Sequence, residues 1–186
     1  MAVTFTPIDP TGSDRDELVA FMTSNTFPFH VRCAQTKEQV SQTIDEGGYL
    51  DDDNASFWID HCAHGRIGFF RFEDLSDGAP LFDLRLAEQW RGRGLAGEIL
   101  AAATEHVFTT MPDVNRFEGQ TREDNIAMRR VFARAGWVQE AYYREGWPVE
   151  GSHPVASVAY SVLRRDWESG TVTPLAWDLP TSDDRG

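Results

Sequence analysis

Cysteine is nearly missing from the 186 residues: Cys33 and Cys62 stand in unlike contexts without ligand-style spacing, which argues against a disulfide framework or a zinc site. Both are expected as free thiols, and no metal is expected. No apolar run approaches the roughly 18 residues that cross a bilayer, and no basic-then-apolar leader opens the chain. A cytoplasmic protein without a membrane partner is the expectation. Basic residues are scarce as well, 17 Lys and Arg against 30 Asp and Glu, for a net charge of -13. That balance repels nucleic acid and favours a cationic partner, although acidity serving solubility alone gives the same count. Repeats and low-complexity segments are also lacking, and the length suits one domain with a proper core.

What is present is a glycine-rich turn between a strand and a helix. Leu81–Leu86 alternates as a strand, and Gly92, Gly94 and Gly97 follow before an amphipathic stretch in which Leu95, Ile99, Ala103 and Val107 share a face. Glycines keep side chains away from a loop whose amides point outward, and the helix adds the positive end of its dipole. An anion belongs there. Arg91 and Arg93 bracket the loop and favour a diphosphate over a lone carboxylate.

The spacing Arg91-x-x-Gly94-x-Ala96 resembles the Gln/Arg-x-x-Gly-x-Gly/Ala signature of the GNAT superfamily of acetyl-CoA-dependent N-acetyltransferases. A second block, Asn125 to Trp137, is similar to that family's later helix, with Asn125 spaced from Gly136 as the family requires. Asp124 or Asn125 can cap this helix, Met128, Val131, Phe132 and Ala135 form its apolar stripe, and Gly136 ends it. The branch resembled holds ribosomal-protein N-terminal acetyltransferases and related small-molecule acetyltransferases. The resemblance implies an α/β (α+β) fold with a mixed, mostly antiparallel central sheet of about six to seven strands and about four helices. It implies acetyl-CoA as co-substrate, with its pyrophosphate on the amides of Arg91, Gly92, Arg93, Gly94, Leu95, Ala96 and Gly97. It also implies that the pantetheine pairs with the backbone of Leu84, Arg85 and Leu86 and with the Asn125 side chain. Arg129, Arg130 and Arg134 are further phosphate candidates, Arg130 foremost.

Elsewhere, Val3–Thr6 reads as a strand, Ser13 as the start of a helix bearing Leu18, Phe21 and Met22, and Thr36 with Gln39 as a capping box. Strands are expected at 56–61, 67–73, 81–86, 115–121, 137–143 and 155–163. Apolar residues on both faces of Ile67–Phe72 predict a sheet covered on both sides. Residues 1–168 are expected to form one acetyltransferase domain, and 169–186 a loosely held tail. The tail's Trp and Leu residues could dock on the domain or on the second subunit of a homodimer.

Transfer to an amine needs a neutral nucleophile, a stabilised oxyanion and a proton for the departing thiolate. Relatives place a tyrosine seven residues after the Asn, a serine three after it, or a glutamate five before it. Those positions hold Phe132, Met128 and Gln120, none able to serve. Asp83, Glu118 and Tyr142 are the remaining catalytic candidates, with Tyr143, His30, His61, His64 and His153 lacking a positional claim. Absence of a strong base points to an α-amine or sugar amine, whose reference pKa near 8 lies below a lysine's. The expected acceptor is a peptide N-terminus or a cationic small molecule attacked in a ternary complex. An acyl-CoA-binding module without turnover is the alternative.

Overall fold

The computed structural model describes residues 2–175. Seven strands form two antiparallel sheets. β1 (Val3–Pro7), β2 (Ala55–His61), β3 (Gly65–Glu73) and β4 (Leu81–Leu86) run in that order, and β5 (Arg116–Arg122), β7 (Val155–Leu163) and β6 (Val138–Trp147) make the second sheet with β7 central. Helix α3 (Ala96–Thr110) crosses from β4 to β5, and α4 (Ile126–Arg134) from β5 to β6. This is the GNAT arrangement the motifs implied. The sheets touch where the Glu118 N–H donates to the Pro80 carbonyl at 3.0 Å. Beyond that bond β4 and β5 share no ladder, so their outer ends part.

Alternation in β3 explains how the first sheet is clothed. Phe70 and Phe72 join Ile99, Leu100, Ala103 and Val107 of α3 in one core, whereas Phe69 joins Leu18, Met22, Val40 and Ile44 of α1 (Arg15–Ser24) and α2 (Lys37–Asp45). Both faces are therefore covered. Gly119 marks a close approach between the sheets, because a Cβ there would fall 2.6 Å from the Phe82 ring and 2.7 Å from Phe132. The far end of α3 is tied down by one side chain. Arg164 donates to the carbonyls of Phe108 (2.6 Å), Met111 (2.7 Å) and Val114 (2.8 Å), supplying donors that a helix C-terminus lacks.

Several expected boundaries shift for identifiable reasons. The Thr36–Gln39 capping box forms as read, but Asp14 rather than Ser13 precedes α1, and its carboxylate accepts from the Asp9 N–H instead of capping. Pro7 remains within edge strand β1, where a missing N–H costs no ladder bond. Helix α3 begins at Ala96 rather than Gly94, and β6 runs on to Trp147. A fifth helix, α5 (Arg164–Ser169), follows β7 directly. The first tail residues are not loose: Asp166 accepts from the Thr173 N–H at 2.8 Å and its hydroxyl at 2.6 Å. Residues 176–186, with Trp177, lie outside the described residues. Cys33 and Cys62 are free and exposed, and no described helix is long and apolar enough to cross a membrane.

Candidate active site

Two cavities flank the gap between β4 and β5. The larger, about 660 Å³, is lined by Gly92, Gly94–Gly97, Thr104 on α3, Val131 and Arg134 on α4, and the Gly170–Val172 stretch. Among the described residues, no backbone carbonyl or side chain accepts from the N–H groups of Gly92 through Glu98. The first intrahelical acceptor is the Leu95 carbonyl, bonded by Ile99 at 3.1 Å. Seven adjacent donors at a helix mouth form a cradle for a polyanion. Gly92 (φ 71°) and Gly94 (φ 82°) bend the loop in the left-handed region, and a Cβ at Gly92, Gly94 or Gly97 would meet no protein atom within 4 Å. The glycines thus guard ligand space rather than internal packing. That observation, with the cavity's length along α3 and α4, fits the diphosphate and arm of coenzyme A.

The flanking arginines behave differently from the expectation. Arg91 Nε donates to the Leu86 carbonyl at 2.9 Å, and its Nη2 reaches the Thr26 carbonyl. Arg93 Nε donates to the Gln89 carbonyl at 2.7 Å, and its guanidinium lies 5.1 Å over the Trp90 ring. Arg91 thus ties the loop to β4 and to the segment holding Thr26, and Arg93 ties it to the turn before it. On α4, Arg130 is exposed and lines neither cavity, whereas Arg134 lines the larger one. The Asn125 side chain is already committed: Oδ1 accepts from the Met128 N–H at 3.2 Å, and Nδ2 donates to Thr121 at 3.0 Å. It caps α4 and ties it to β5. Leu84, Arg85 and Leu86 lie on β4, whose edge toward β5 has no strand partner there, which leaves main-chain groups for an extended ligand.

The second cavity, about 490 Å³, opens on the face of β4 opposite α3 and holds His30, Tyr49, Arg71, Glu73, Asp83 and Arg85 among its lining. Register sets Asp83 directly across from Arg71. Its carboxylate also meets Arg85 Nη2 at 2.9 Å and His30 Nε2 at 2.9 Å. Burial pushes the Asp83 carboxyl up, but the pull of Arg85, His30 and Arg71 outweighs it and holds the group well below the usual carboxylate range. Asp83 is therefore a fixed anion and a poor base in its own right. Burial raises Glu73 against the opposing pull of Arg71, its ion-pair partner, and burial also raises the Tyr49 phenol.

Two other catalytic candidates stand elsewhere. Glu118 pairs with Arg116 on its own strand and lines neither cavity. Tyr142 is about half exposed, and its hydroxyl donates to the Glu123 carboxylate, a bond that raises the phenol's pKa. It too lies outside both cavities. Sequence reasoning passed over Tyr49, Arg71 and Glu73 altogether. Only the β3–β4 hairpin register could have put Arg71 opposite Asp83. Gln120, Thr121 and Met128 do line the second cavity, and Phe132 is wholly buried. A core position has no route for a tyrosine proton.

The profile of the acetyltransferase (GNAT) domain family matches residues 3–138. No curated protein sequence counts as a match. Among solved structures, the fold resembles spermidine N-acetyltransferase from Vibrio cholerae in complex with CoA and spermine, at TM-score 0.74 and 13% identity over 90% of this chain and 98% of that one. It also resembles RimL, the ribosomal L7/L12 alpha-N-protein acetyltransferase in complex with coenzyme A, at TM-score 0.70 and 16% identity over 88% of this chain and 94% of that one. With the matched profile spanning most of the chain and the glycine loop at the mouth of α3, the protein belongs to the GNAT family and is an acetyl-CoA-dependent acetyltransferase.

Proposed function

We propose that the protein moves an acetyl group from acetyl-CoA to a primary amine by direct attack in a ternary complex. Residues 1–168 act as one acetyltransferase domain in this reading. The supporting observation is the pair of cavities on either side of one strand gap: an amide-lined groove for the coenzyme and a polar chamber for the acceptor. Gly92 to Gly97 hold the coenzyme's diphosphate through main-chain N–H groups, and the open edge of β4 at Leu84–Leu86 holds its arm. When bound, acetyl-CoA supplies the activated acetyl group; the protein contributes alignment of the two substrates across the strand gap.

Acceptor charge separates the two expected classes, a peptide N-terminus and a cationic small molecule. Glu73 and Asp83 are each matched by Arg71 or Arg85, and Arg32 on the chamber wall has no ion-pair partner among the described residues. A polycation would meet no uncompensated carboxylate there, so the local balance favours a peptide α-amine despite the acidic chain as a whole. Thiol release from acetyl-CoA across spermidine, an aminoglycoside and short peptides with free N-termini tests this. Peptides are expected to exceed spermidine in kcat/KM by about tenfold, worth ~1.4 kcal/mol. Faster spermidine turnover would reverse the acceptor assignment. Coenzyme binding without amine-dependent release from any of them would favour a binding module.

A further inference from the structure

The segment from Asn25 to His30 is fastened to both banks of the β4–β5 gap. On the β4 side, Glu88 accepts from the N–H and hydroxyl of Thr26 at 2.8 and 2.6 Å, and Asn25 Oδ1 accepts from the Glu88 N–H at 2.9 Å. On the β5 side, Arg122 Nη1 donates to the Pro28 carbonyl at 3.1 Å, and its guanidinium lies 5.7 Å over the Phe29 ring. The strap therefore crosses the gap and sets His30 against Asp83, with Phe27 edge-on to the imidazole at 5.6 Å.

Because Asp83 is anionic and can only accept, His30 Nε2 carries the proton of their 2.9 Å bond. Once the ring gives up its other proton, the lone pair lies on Nδ1. That nitrogen is buried and has no hydrogen-bond partner, although the ring belongs to the chamber wall. A buried polar atom without a partner calls for a reason, and an imidazole with one nitrogen held by a carboxylate and the other vacant is the arrangement a proton acceptor needs. Charged or titratable groups around it are Asp83 and Arg85 on β4, Arg71 and Glu73 on β3, Tyr49, and Arg32 on its own loop.

We propose that His30 is the general base for the acceptor amine and that Asp83 is its positioning residue. This rests on the chamber being the acceptor site. The neutral amine nitrogen forms a C–N bond to the acetyl carbonyl carbon as the C–S bond breaks and its electron pair leaves on sulfur. The proton lost by nitrogen goes to His30 Nδ1 once the ring turns that atom toward the chamber, and solvent protonates the thiolate, so the products are an amide and a free thiol.

Pre-steady and steady-state turnover of His30→Gln, with the fastest amine of the panel above, tests the assignment. At about pH 7, kcat/KM for the amine is expected to fall by about 100-fold or more, and the deficit to shrink at least about tenfold by pH 9.5, where hydroxide takes the proton in place of the imidazole. Coenzyme affinity by calorimetry is expected to stay within about twofold, since no residue of the amide cradle changes. His30→Ala, with and without added imidazole, provides a second readout, and recovery of turnover by imidazole is expected. A loss under about threefold at pH 7, a loss equal at every pH, or failure of imidazole to restore turnover overturns the base assignment. If the unaltered enzyme acetylates no amine, the acetyl-transfer reading falls and this assignment with it; a competent parent with an equally competent variant removes His30 alone.

Discussion

Gly94→Val is expected to weaken coenzyme A binding by at least about 100-fold, or ~2.7 kcal/mol, while the protein still folds. Two properties of the position combine. Its φ of 82° lies where a β-branched residue is strained by about 1–3 kcal/mol. Its outward Cβ direction holds no protein atom within 4 Å, so the isopropyl group has nothing to clash with in the free protein and fills the space from which a diphosphate would reach the amides. Calorimetric titration with coenzyme A, beside thermal unfolding, separates the two effects. Unchanged affinity would reject the loop as the diphosphate site.

The second large effect concerns the core beneath that site. Phe132→Ala is expected to destabilise the fold by about 3–5 kcal/mol in denaturant titrations. Its ring is fully buried, stacks on Tyr160 at 4.6 Å between centroids, and sits 5.1 Å from Trp137. It also fills the slot left by Gly119, where β4 and β5 still touch. Partial collapse is hindered because four elements converge on the ring, so most of its volume would persist as a void. A loss below about 1 kcal/mol would show that the neighbouring rings close over the vacancy.

The glycine loop, the Asn125 helix, the Thr36 capping box and the alternating meander were legible because each is written in a local pattern a few residues long. Helix α5 was not, since Leu163 passes into Arg164 with no glycine, proline or capping side chain to mark a change. Arg91 and Arg93 were correctly placed at the loop but not in their duties. Their partners, the carbonyls of Leu86, Thr26 and Gln89, are main-chain atoms whose position depends on the folded loop. Strand alternation puts Asp83 on the same face as Arg85, its neighbour two residues on. Its other partners, His30 and Arg71, come from a distant loop and an adjacent strand, and long-range juxtapositions of this kind leave no periodicity to read. Net charge averages the whole surface, so it carried no sign of the arginines that line the chamber. Tyr142 and Glu118 were plausible by residue type, yet strand alternation alone could not say which cavity, if any, each face would meet.

One guanidinium at the opposite end of α3 has a bearing on the cradle. Arg164 gathers three carbonyls at that terminus, and a rigid rod of 15 residues, spanning about 22 Å, carries any tilt at its base to its tip. Arg164→Ala is expected to slacken coenzyme binding severalfold in calorimetry without removing a single contact to the ligand, through loss of bonds worth about 0.5–1.5 kcal/mol each. The proposed grip on the donor substrate would then be aimed from the rear, by a residue that enters the chain only after β7 is complete.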